Sequence, residues 1–176
     1  MDHKKSALIW IALTSCFLFS PTFALTTPCP SSQAICTVDV IASGKVQHVQ
    51  YRENLLKLAV RMKLRGWVKN LKDGTVRFVL QGKPQDVHTA LRKIQHDAFS
   101  DIYAKTESLS MSQKKEAKKI SGFTTIQWTS GWYCSKEPHD ITWNPNKEQN
   151  KYYSAEEANK IVYRLISPYV KCHSKP

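Results

Sequence analysis

Hydrophobic and polar positions along residues 37–128 follow periods that predict a mixed fold of strands and helices. Residues 37–46 are rich in β-branched side chains, which predicts the first strand. Residues 53–64 carry one apolar stripe at helical spacing, which predicts the first helix, and Gly66 is placed to end it in a left-handed conformation. The stripe consists of Leu55, Leu58, Ala59 and Met62.

A hairpin is predicted next, because strand-like residues 67–71 and 75–81 flank the turn sequence Lys72-Asp73-Gly74. The second of these strands alternates between apolar and polar side chains, so we expect it to bury one face. Its apolar positions are Val76, Phe78 and Leu80, and its polar positions are Arg77 and Gln81.

A second helix is predicted to begin at Pro84, a residue suited to the first helical turn. Its apolar stripe consists of Val87, Ala90, Leu91, Ile94 and Ala98. A weak strand follows at 102–106, then a polar stretch at 109–121 that we interpret as an exposed connection, then a last strand at 123–128. The order βαββαβ predicts an α+β, ferredoxin-like split βαβ fold: an antiparallel sheet with two helices on one face.

Residues 129–176 form a C-terminal extension that is aromatic in its first half. Ser154 and Glu157 make a capping box, and the apolar spacing behind it predicts a helix that ends near Pro168. We expect this extension to pack on the domain, with the open sheet face as one location; the functional alternative is a lid or a carbohydrate-binding patch. The aromatic residues are Trp132, Tyr133, Trp143, Tyr152 and Tyr153, and the helical stripe is Ala158, Ile161, Val162 and Leu165.

Residues 1–24 have the pattern of a secretory signal peptide: two lysines, an apolar run over 7–19, and the small residues Thr22 and Ala24 at positions −3 and −1 of the cleavage site. We therefore expect an exported protein, periplasmic or secreted, with no stable membrane anchor after cleavage. The minor alternative is a lipoprotein attached through Cys16. Residues 25–36 are predicted to form an N-terminal loop.

Cleavage after Ala24 would leave four cysteines, an even number that predicts two disulfides in an exported chain. The disulfide candidates are Cys29, Cys36, Cys134 and Cys172. We favour Cys29–Cys36 and Cys134–Cys172, although four cysteines permit three pairings. A zinc site is a weaker alternative, because its ligands lack the usual paired spacing. That set would be Cys134, His139, Cys172 and His173.

The formal net charge is +12, which favours anionic partners such as phosphorylated metabolites or anionic lipid. Because the chain is predicted to be exported, we do not expect it to bind nucleic acid.

Two ordered motifs carry the candidate chemistry. Residues 44–52 read G-K-V-Q-H-V-Q-Y-R, and residues 66–75 read G-W-V-K-N-L-K-D-G-T. Together they resemble the acylphosphatase family, whose signature is G-x-V-Q-G-V-x-F-R followed by G-W-V-x-N and a D-G-T turn. The resemblance covers residues 37–128. His48 stands at the family's second glycine, and Tyr51 stands at its phenylalanine.

The resemblance implies a hydrolase that converts an acyl phosphate to a carboxylate and inorganic phosphate. It assigns phosphate binding to Arg52 and positioning of the attacking water to Asn70. It implies no cofactor, no metal and no covalent intermediate, and we expect a monomer. The rest of the phosphate-binding loop would be Gln47, His48, Val49, Gln50 and Tyr51.

His48 leaves three outcomes open, because a Cβ at a glycine position of a phosphate loop can leave the site intact, weaken it or change its preference. The alternative function is a non-catalytic module of the cell envelope that binds an anion or a partner. A further alternative is a basic surface-binding protein that engages envelope material through its aromatic extension.

Overall fold

The computed structural model describes residues 29–96, 104–114, 118–130, 135–145 and 152–170. Within them the chain forms six strands, three α-helices and one short 3₁₀ helix. The strands are β1 (Cys36–Lys45), β2 (Arg65–Asn70), β3 (Val76–Gly82), β4 (Lys105–Gln113), β5 (Phe123–Ser130) and β6 (Ser135–Trp143). The helices are α1 (Tyr51–Met62), α2 (Pro84–Gln95) and α3 (Ala155–Ile166), and the 3₁₀ helix is Ser167–Tyr169.

One six-stranded sheet runs through the molecule in the order β4-β1-β3-β2-β5-β6. The four strands β4, β1, β3 and β2 pair antiparallel, and with α1 and α2 they make up the predicted split βαβ fold. Strand β5 adds to β2 in parallel, and β6 adds to β5 in antiparallel orientation. The predicted fold class is confirmed, and the sheet has two strands more than the four of the split βαβ plan.

The assignment of the last core strand was wrong. The segment over 123–128 is β5, which extends the sheet beyond β2, and the fourth strand of the core is β4. Strand β4 covers part of the weak strand and part of the connection predicted at 109–121, because it is a sheet edge with mostly exposed or half-exposed polar side chains. An exposed edge strand lacks the apolar alternation by which a strand is recognised.

Helix α1 begins two residues earlier than predicted and ends at Met62. The left-handed residue that ends it is Lys63, at φ +53°, and not Gly66 as predicted. Gly66 lies inside β2 at φ +140°, where a Cβ would stand 1.8 Å from the carbonyl oxygen of Val79 on the neighbouring strand. Glycine is therefore required at Gly66 by the close approach of two strands.

The core lies between the sheet and its helices. Its sheet side includes Val38, Val40 and Ala42 of β1 and Val76, Phe78 and Leu80 of β3. Its helix side includes Leu55, Leu58 and Ala59 of α1 and Val87, Ala90, Leu91 and Ile94 of α2, which confirms these parts of the predicted stripes. Ala98, also predicted there, lies outside the described residues.

The opposite face of the sheet is covered at one end. Gln81, predicted to be on an exposed face, is 1% exposed and donates to Thr37 Oγ1 (3.0 Å) and to the carbonyl oxygen of Lys118 (3.1 Å). Its Oε1 accepts from the backbone N–H of Ile120 at 2.8 Å. The residues over 118–120 therefore cross this face, and one glutamine side chain holds them there.

The C-terminal extension contributes β6 to the sheet edge and packs α3 against α1. The predicted capping box is present: Ser154 Oγ accepts from the Glu157 backbone N–H, and Glu157 Oε2 accepts from the Ser154 backbone N–H. The buried face of α3 consists of Ala158, Val162 and Ile166. The helix thus lies on the helical side of the sheet, and the open face is not its location.

Cys29 and Cys36 form a disulfide at the start of β1, as predicted. Cys134, Cys172 and His173 lie outside the described residues, as do residues 1–28 with the predicted signal peptide. Across the residues that the structure describes, no helix has both the length and the apolar character needed to span a bilayer.

Candidate active site

The loop that joins β1 to α1 begins at a break in the sheet. The pairing of β1 with β4 shifts register between Ser43 and Gly44. Gly44 has φ +116°, and a Cβ there would stand 2.5 Å from the carbonyl oxygen of Lys105. The first glycine of the motif thus permits a bulge in close contact with β4, one residue before β1 ends and the loop over 46–50 begins.

This loop alternates in backbone handedness just before the helix. His48 has φ +61° and Gln50 has φ +57°, while Val49 between them keeps a negative φ. Such alternation directs successive N–H groups toward one concave surface. The backbone N–H groups of His48, Val49, Gln50 and Arg52 find no acceptor among the described residues. Helix α1 also begins without a side-chain cap, so its positive end adds to this field of donors.

His48 therefore adopts the left-handed conformation that a glycine would supply, and its side chain is exposed. The Tyr51 side chain, in contrast, is buried: it is 2% exposed, and its hydroxyl is 3.0 Å from Thr106 Oγ1 of β4. The additional hydroxyl of this tyrosine, relative to the phenylalanine of the motif, thus has a partner within the core. Both departures from the motif fit the local structure.

Gln47 braces the loop against the β2–β3 hairpin. Its Nε2 donates to the carbonyl oxygens of Leu71 and Thr75, each at 2.8 Å. Asp73 Oδ1 in turn accepts from the backbone N–H (3.0 Å) and the hydroxyl (2.7 Å) of Thr75. The glutamine of the first motif therefore binds the turn of the second motif, and this brings the loop beside the end of β2.

Arg52 is half-buried at the start of α1 and reaches across to β5. Its Nη1 donates to the carbonyl oxygens of Ile126 (3.1 Å) and Gln127 (2.6 Å). Its Nε and Nη2 have no acceptor within the described part of the chain. Burial lowers the pKa of Arg52 from its ordinary value, although a guanidinium stays charged at any physiological pH. A partly desolvated cation with free donors is suited to bind an anion.

The two carbonyl oxygens belong to a bulge in β5. Thr125 pairs with Ile141 and Trp128 pairs with His139, so Ile126 and Gln127 together oppose the single residue Asp140. These residues were not identified from the sequence. Gln127 is left-handed, at φ +51°. Its backbone N–H donates to Asp140 Oδ1 at 2.8 Å.

Asn70 is the last residue of β2 and lies on the same side of the sheet as α1, because it is two residues beyond the fully buried Val68. Val68 pairs in parallel with Thr125, so Asn70 and the two residues whose carbonyl oxygens accept from Arg52 both follow this pair toward the same end of the sheet. Asn70 Oδ1 is buried and has no hydrogen-bond partner among the described residues. The two residues that the motifs single out therefore lie at the same end of the sheet, where Gln47 also holds the loop of open N–H groups against the β2–β3 turn.

A comparison with known protein families assigns the chain to one of them. The family model named Acylphosphatase matches residues 38–125, which is half of the chain. This chain belongs to the acylphosphatase family. The match places it with the acylphosphatase-type hydrolases, and it ends immediately before the bulge that binds Arg52.

Relatives cover the same half of the chain. The acylphosphatase of Methanospirillum hungatei JF-1 is 36% identical over 87 residues, which are 49% of this chain and 92% of the relative. The acylphosphatase of Bordetella parapertussis is 34% identical over 90 residues, which are 51% of this chain and 93% of the relative. A solved acylphosphatase structure from Coxiella burnetii has a TM-score of 0.48 and 27% identity, and covers 52% of this chain and 93% of that one. In this acylphosphatase-family chain, β6 and α3 lie beyond the matched residues.

Proposed function

We propose that this chain hydrolyses acyl phosphates to a carboxylate and inorganic phosphate. Arg52 and the loop over 47–52 bind the phosphate group, and Asn70 holds the attacking water. The observation that carries the proposal is the convergence of unpaired loop N–H groups, a half-buried guanidinium with free donors, and a buried amide oxygen without a partner.

The chemistry of an acyl phosphate suits these groups. It is a mixed anhydride whose carboxylate is a good leaving group, so the reaction needs little acid–base catalysis. The oxygen of water bonds to phosphorus as the bond from phosphorus to the acyl oxygen breaks; the carboxylate leaves as an anion, and both protons of the water remain on the phosphate. Such a reaction depends on neutralising the phosphoryl oxygens and on holding the water in line.

Arg52 and the loop supply the first requirement. The free Nε and Nη2 of Arg52 form a fork that fits two phosphate oxygens, and the N–H groups of His48, Val49 and Gln50 provide further donors. Because the guanidinium is half-buried, its attraction to a bound anion is screened less than that of an exposed arginine.

Asn70 supplies the second requirement. A buried amide oxygen without a partner is unfavourable, and a bound water that donates to it would relieve that cost. The amide carries no charge, so it can orient a water beside a dianionic phosphate without repelling it. The position of Asn70 supports this role, because the residue ends β2 on the side of the sheet that carries α1 and Arg52.

We also propose that the protein is exported, to the periplasm or beyond the cell. The Cys29–Cys36 disulfide supports this, because disulfides persist in oxidising compartments. Mass spectrometry of the protein from its native host is expected to find a chain that begins at or near Leu25. Retention of Met1, or a lipid on Cys16, would contradict export by cleavage after Ala24.

The test of the proposed activity is turnover of benzoyl phosphate compared with phenyl phosphate, a monoester with a poorer leaving group. The wild-type protein is expected to hydrolyse the first and not the second. Arg52→Ala is expected to lower kcat/KM by at least about a hundredfold, whereas Arg61→Ala, an exposed arginine on the same helix, serves as the matched control and is expected to retain it. Phosphate binding without turnover by the wild-type protein would favour the non-catalytic anion-binding module instead.

A further inference from the structure

The C-terminal extension reaches the candidate active site through one carboxylate. Asp140 lies on β6, beyond the residues that match the family model, and its Oδ1 accepts from the backbone N–H of Gln127 at 2.8 Å. Gln127 and its neighbour Ile126 are the two residues whose carbonyl oxygens hold Arg52 Nη1. The extension and the guanidinium are therefore separated by a single bulge of β5.

We propose that Asp140 is a positioning residue for Arg52, because it fixes the β5 bulge whose carbonyl oxygens set the direction of the guanidinium. This inference rests on the proposed function, in which Arg52 binds the phosphate group of the substrate.

The geometry of one peptide group carries the argument. The carbonyl of Ile126 and the N–H of Gln127 belong to the same planar peptide, so they point in opposite directions. When Asp140 accepts from that N–H on one side, the oxygen of Ile126 is directed to the other side, where it accepts a hydrogen bond from Arg52 Nη1 at 3.1 Å. The carboxylate thus determines the orientation of the acceptor that Arg52 uses.

The backbone at Gln127 requires this support. Its φ of +51° is left-handed, a backbone conformation that residues other than glycine, asparagine and aspartate rarely adopt. A hydrogen bond from a backbone N–H to a carboxylate is stronger than one to a neutral acceptor, so it offsets the strain. Without it, the bulge is free to relax, and the carbonyl oxygens of residues 126 and 127 move away from Nη1.

The backbone of Asp140 is held in place by strand pairing on both sides. The pairings of Trp128 with His139 and of Thr125 with Ile141 flank the bulge on both sides. The ring of His139 also stacks on that of Tyr169, with centroids 4.4 Å apart, which ties β6 to the 3₁₀ helix after α3. The extension therefore stabilises the orientation of Arg52.

The test compares Asp140→Ala with Asp140→Asn in the full chain. The alanine variant is expected to raise the inhibition constant for inorganic phosphate and the KM for benzoyl phosphate, and to lower kcat/KM, each by about tenfold, since small misplacements of a binding group are costly. Asparagine keeps an acceptor oxygen in the same place, so it is expected to stay within about threefold of wild type. Glu156→Gln, an exposed carboxylate on α3, is the matched control and is expected to change nothing.

A second readout follows the arginine directly and needs no turnover. The guanidinium ¹H–¹⁵N signals of Arg52, assigned by their loss in Arg52→Lys, are expected to be slowly exchanging in the wild-type protein and broadened in Asp140→Ala. If the wild-type protein turns over no acyl phosphate, the proposed function fails, and these signals still decide whether Asp140 orders Arg52. Unchanged Arg52 signals in Asp140→Ala would overturn the inference, whatever the loss of thermal stability.

A rescue variant separates the bulge from a general loss of folding. Because glycine adopts φ +51° without strain, Gln127→Gly in the Asp140→Ala background is expected to recover part of the lost phosphate affinity. Losses as large in Asp140→Asn as in Asp140→Ala would contradict the hydrogen bond as the cause. Absence of any recovery in the double variant would contradict the role of the strained bulge.

Discussion

Individual residues of the loop over 46–50 take backbone conformations that their side chains disfavour. His48 and Gln50 are both left-handed, although neither is glycine. The cost of such a conformation is about 1–2 kcal/mol for a residue with a Cβ. These conformations direct the N–H groups of the loop to one side, which is the arrangement that an anion site needs.

Replacement of His48 tests the loop at the scale of one residue. Because its side chain is exposed and its φ is +61°, His48→Gly is expected to keep kcat/KM for benzoyl phosphate within about threefold of wild type. His48→Val places a β-branched side chain in the left-handed region and is expected to lower the free energy of unfolding by about 1–2 kcal/mol. Steady-state kinetics and urea unfolding measure these effects. A tenfold rise in kcat/KM for His48→Gly would show instead that the histidine obstructs the loop.

The motif residues of the site could be predicted from the sequence, and their partners could not. Arg52 and Asn70 stand at fixed positions within two recognisable motifs, and the structure brings their backbones to the same end of the sheet. The partners of Arg52 are two backbone carbonyls, which carry no residue-type signal. Asp140 acts through a bulge that exists only when β5 and β6 pair, so its position became visible only in the tertiary structure.

At the scale of secondary-structure elements, β2 depends on Gly66, a glycine predicted to end the first helix. Gly66→Ala would place a Cβ 1.8 Å from the carbonyl oxygen of Val79, and the β2–β3 pair would have to move apart. We expect a loss of roughly 2–4 kcal/mol in the free energy of unfolding, the range typical of backbone strain combined with a clash. Urea unfolding followed by circular dichroism measures it.

The matched control for this prediction is Gly74→Ala in the hairpin turn. Gly74 also has a positive φ, +87°, but a Cβ there meets nothing within 4 Å. Only the conformational cost remains, so the expected loss is about 1 kcal/mol. Equal losses in the two variants would mean that the approach of β2 to β3 does not constrain Gly66.

The assignment of β4 and the location of α3 could not be predicted from the sequence, because local patterns do not show which surfaces come together in the fold. Strand β4 is an edge strand of polar and half-exposed side chains, and its sequence has the composition of a loop. The location of α3 was also open, because its amphipathic pattern defines which of its own faces is buried and not which surface covers it. The long apolar stripes of α1 and α2 were predictable because each covers a large part of the core.

At the scale of the whole molecule, one buried carboxylate joins three separate segments. Asp39 of β1 accepts from Arg77 Nε (2.9 Å) and Nη2 (2.7 Å) on β3, and lies 3.1 Å from Lys114 Nζ just after β4. The hydrogen bonds from Arg77 lower the pKa of Asp39 below its ordinary value, and Lys114 adds to this effect. The network ties the centre of the sheet to its edge on the face without helices.

This lowered pKa predicts how stability depends on pH. The stabilisation by ionised Asp39 is fully present above the pKa of the unfolded chain, about 3.9, and is lost as the pH falls through the lower pKa of the folded protein. Asp39→Asn is therefore expected to be less stable than wild type near pH 7, with the difference shrinking in strong acid. Urea unfolding across pH 2–7 checks this, with Glu107→Gln, an exposed residue of β4, as the control. A difference that is independent of pH would contradict the ionic contribution.

The roles proposed for Arg52 and Asn70 are separated by measuring phosphate affinity and turnover in two variants. In the proposed reaction, Arg52 contacts the bound anion before and during the chemical step, whereas Asn70 acts on the water. We expect Arg52→Ala to weaken inhibition by inorganic phosphate at least tenfold and to abolish most benzoyl phosphate hydrolysis. We expect Asn70→Ala to lower kcat at least tenfold and to leave the phosphate inhibition constant within about twofold of wild type. If Asn70→Ala weakens phosphate binding as much as Arg52→Ala does, or if Arg52→Ala retains wild-type turnover, the assignment of these two roles is wrong.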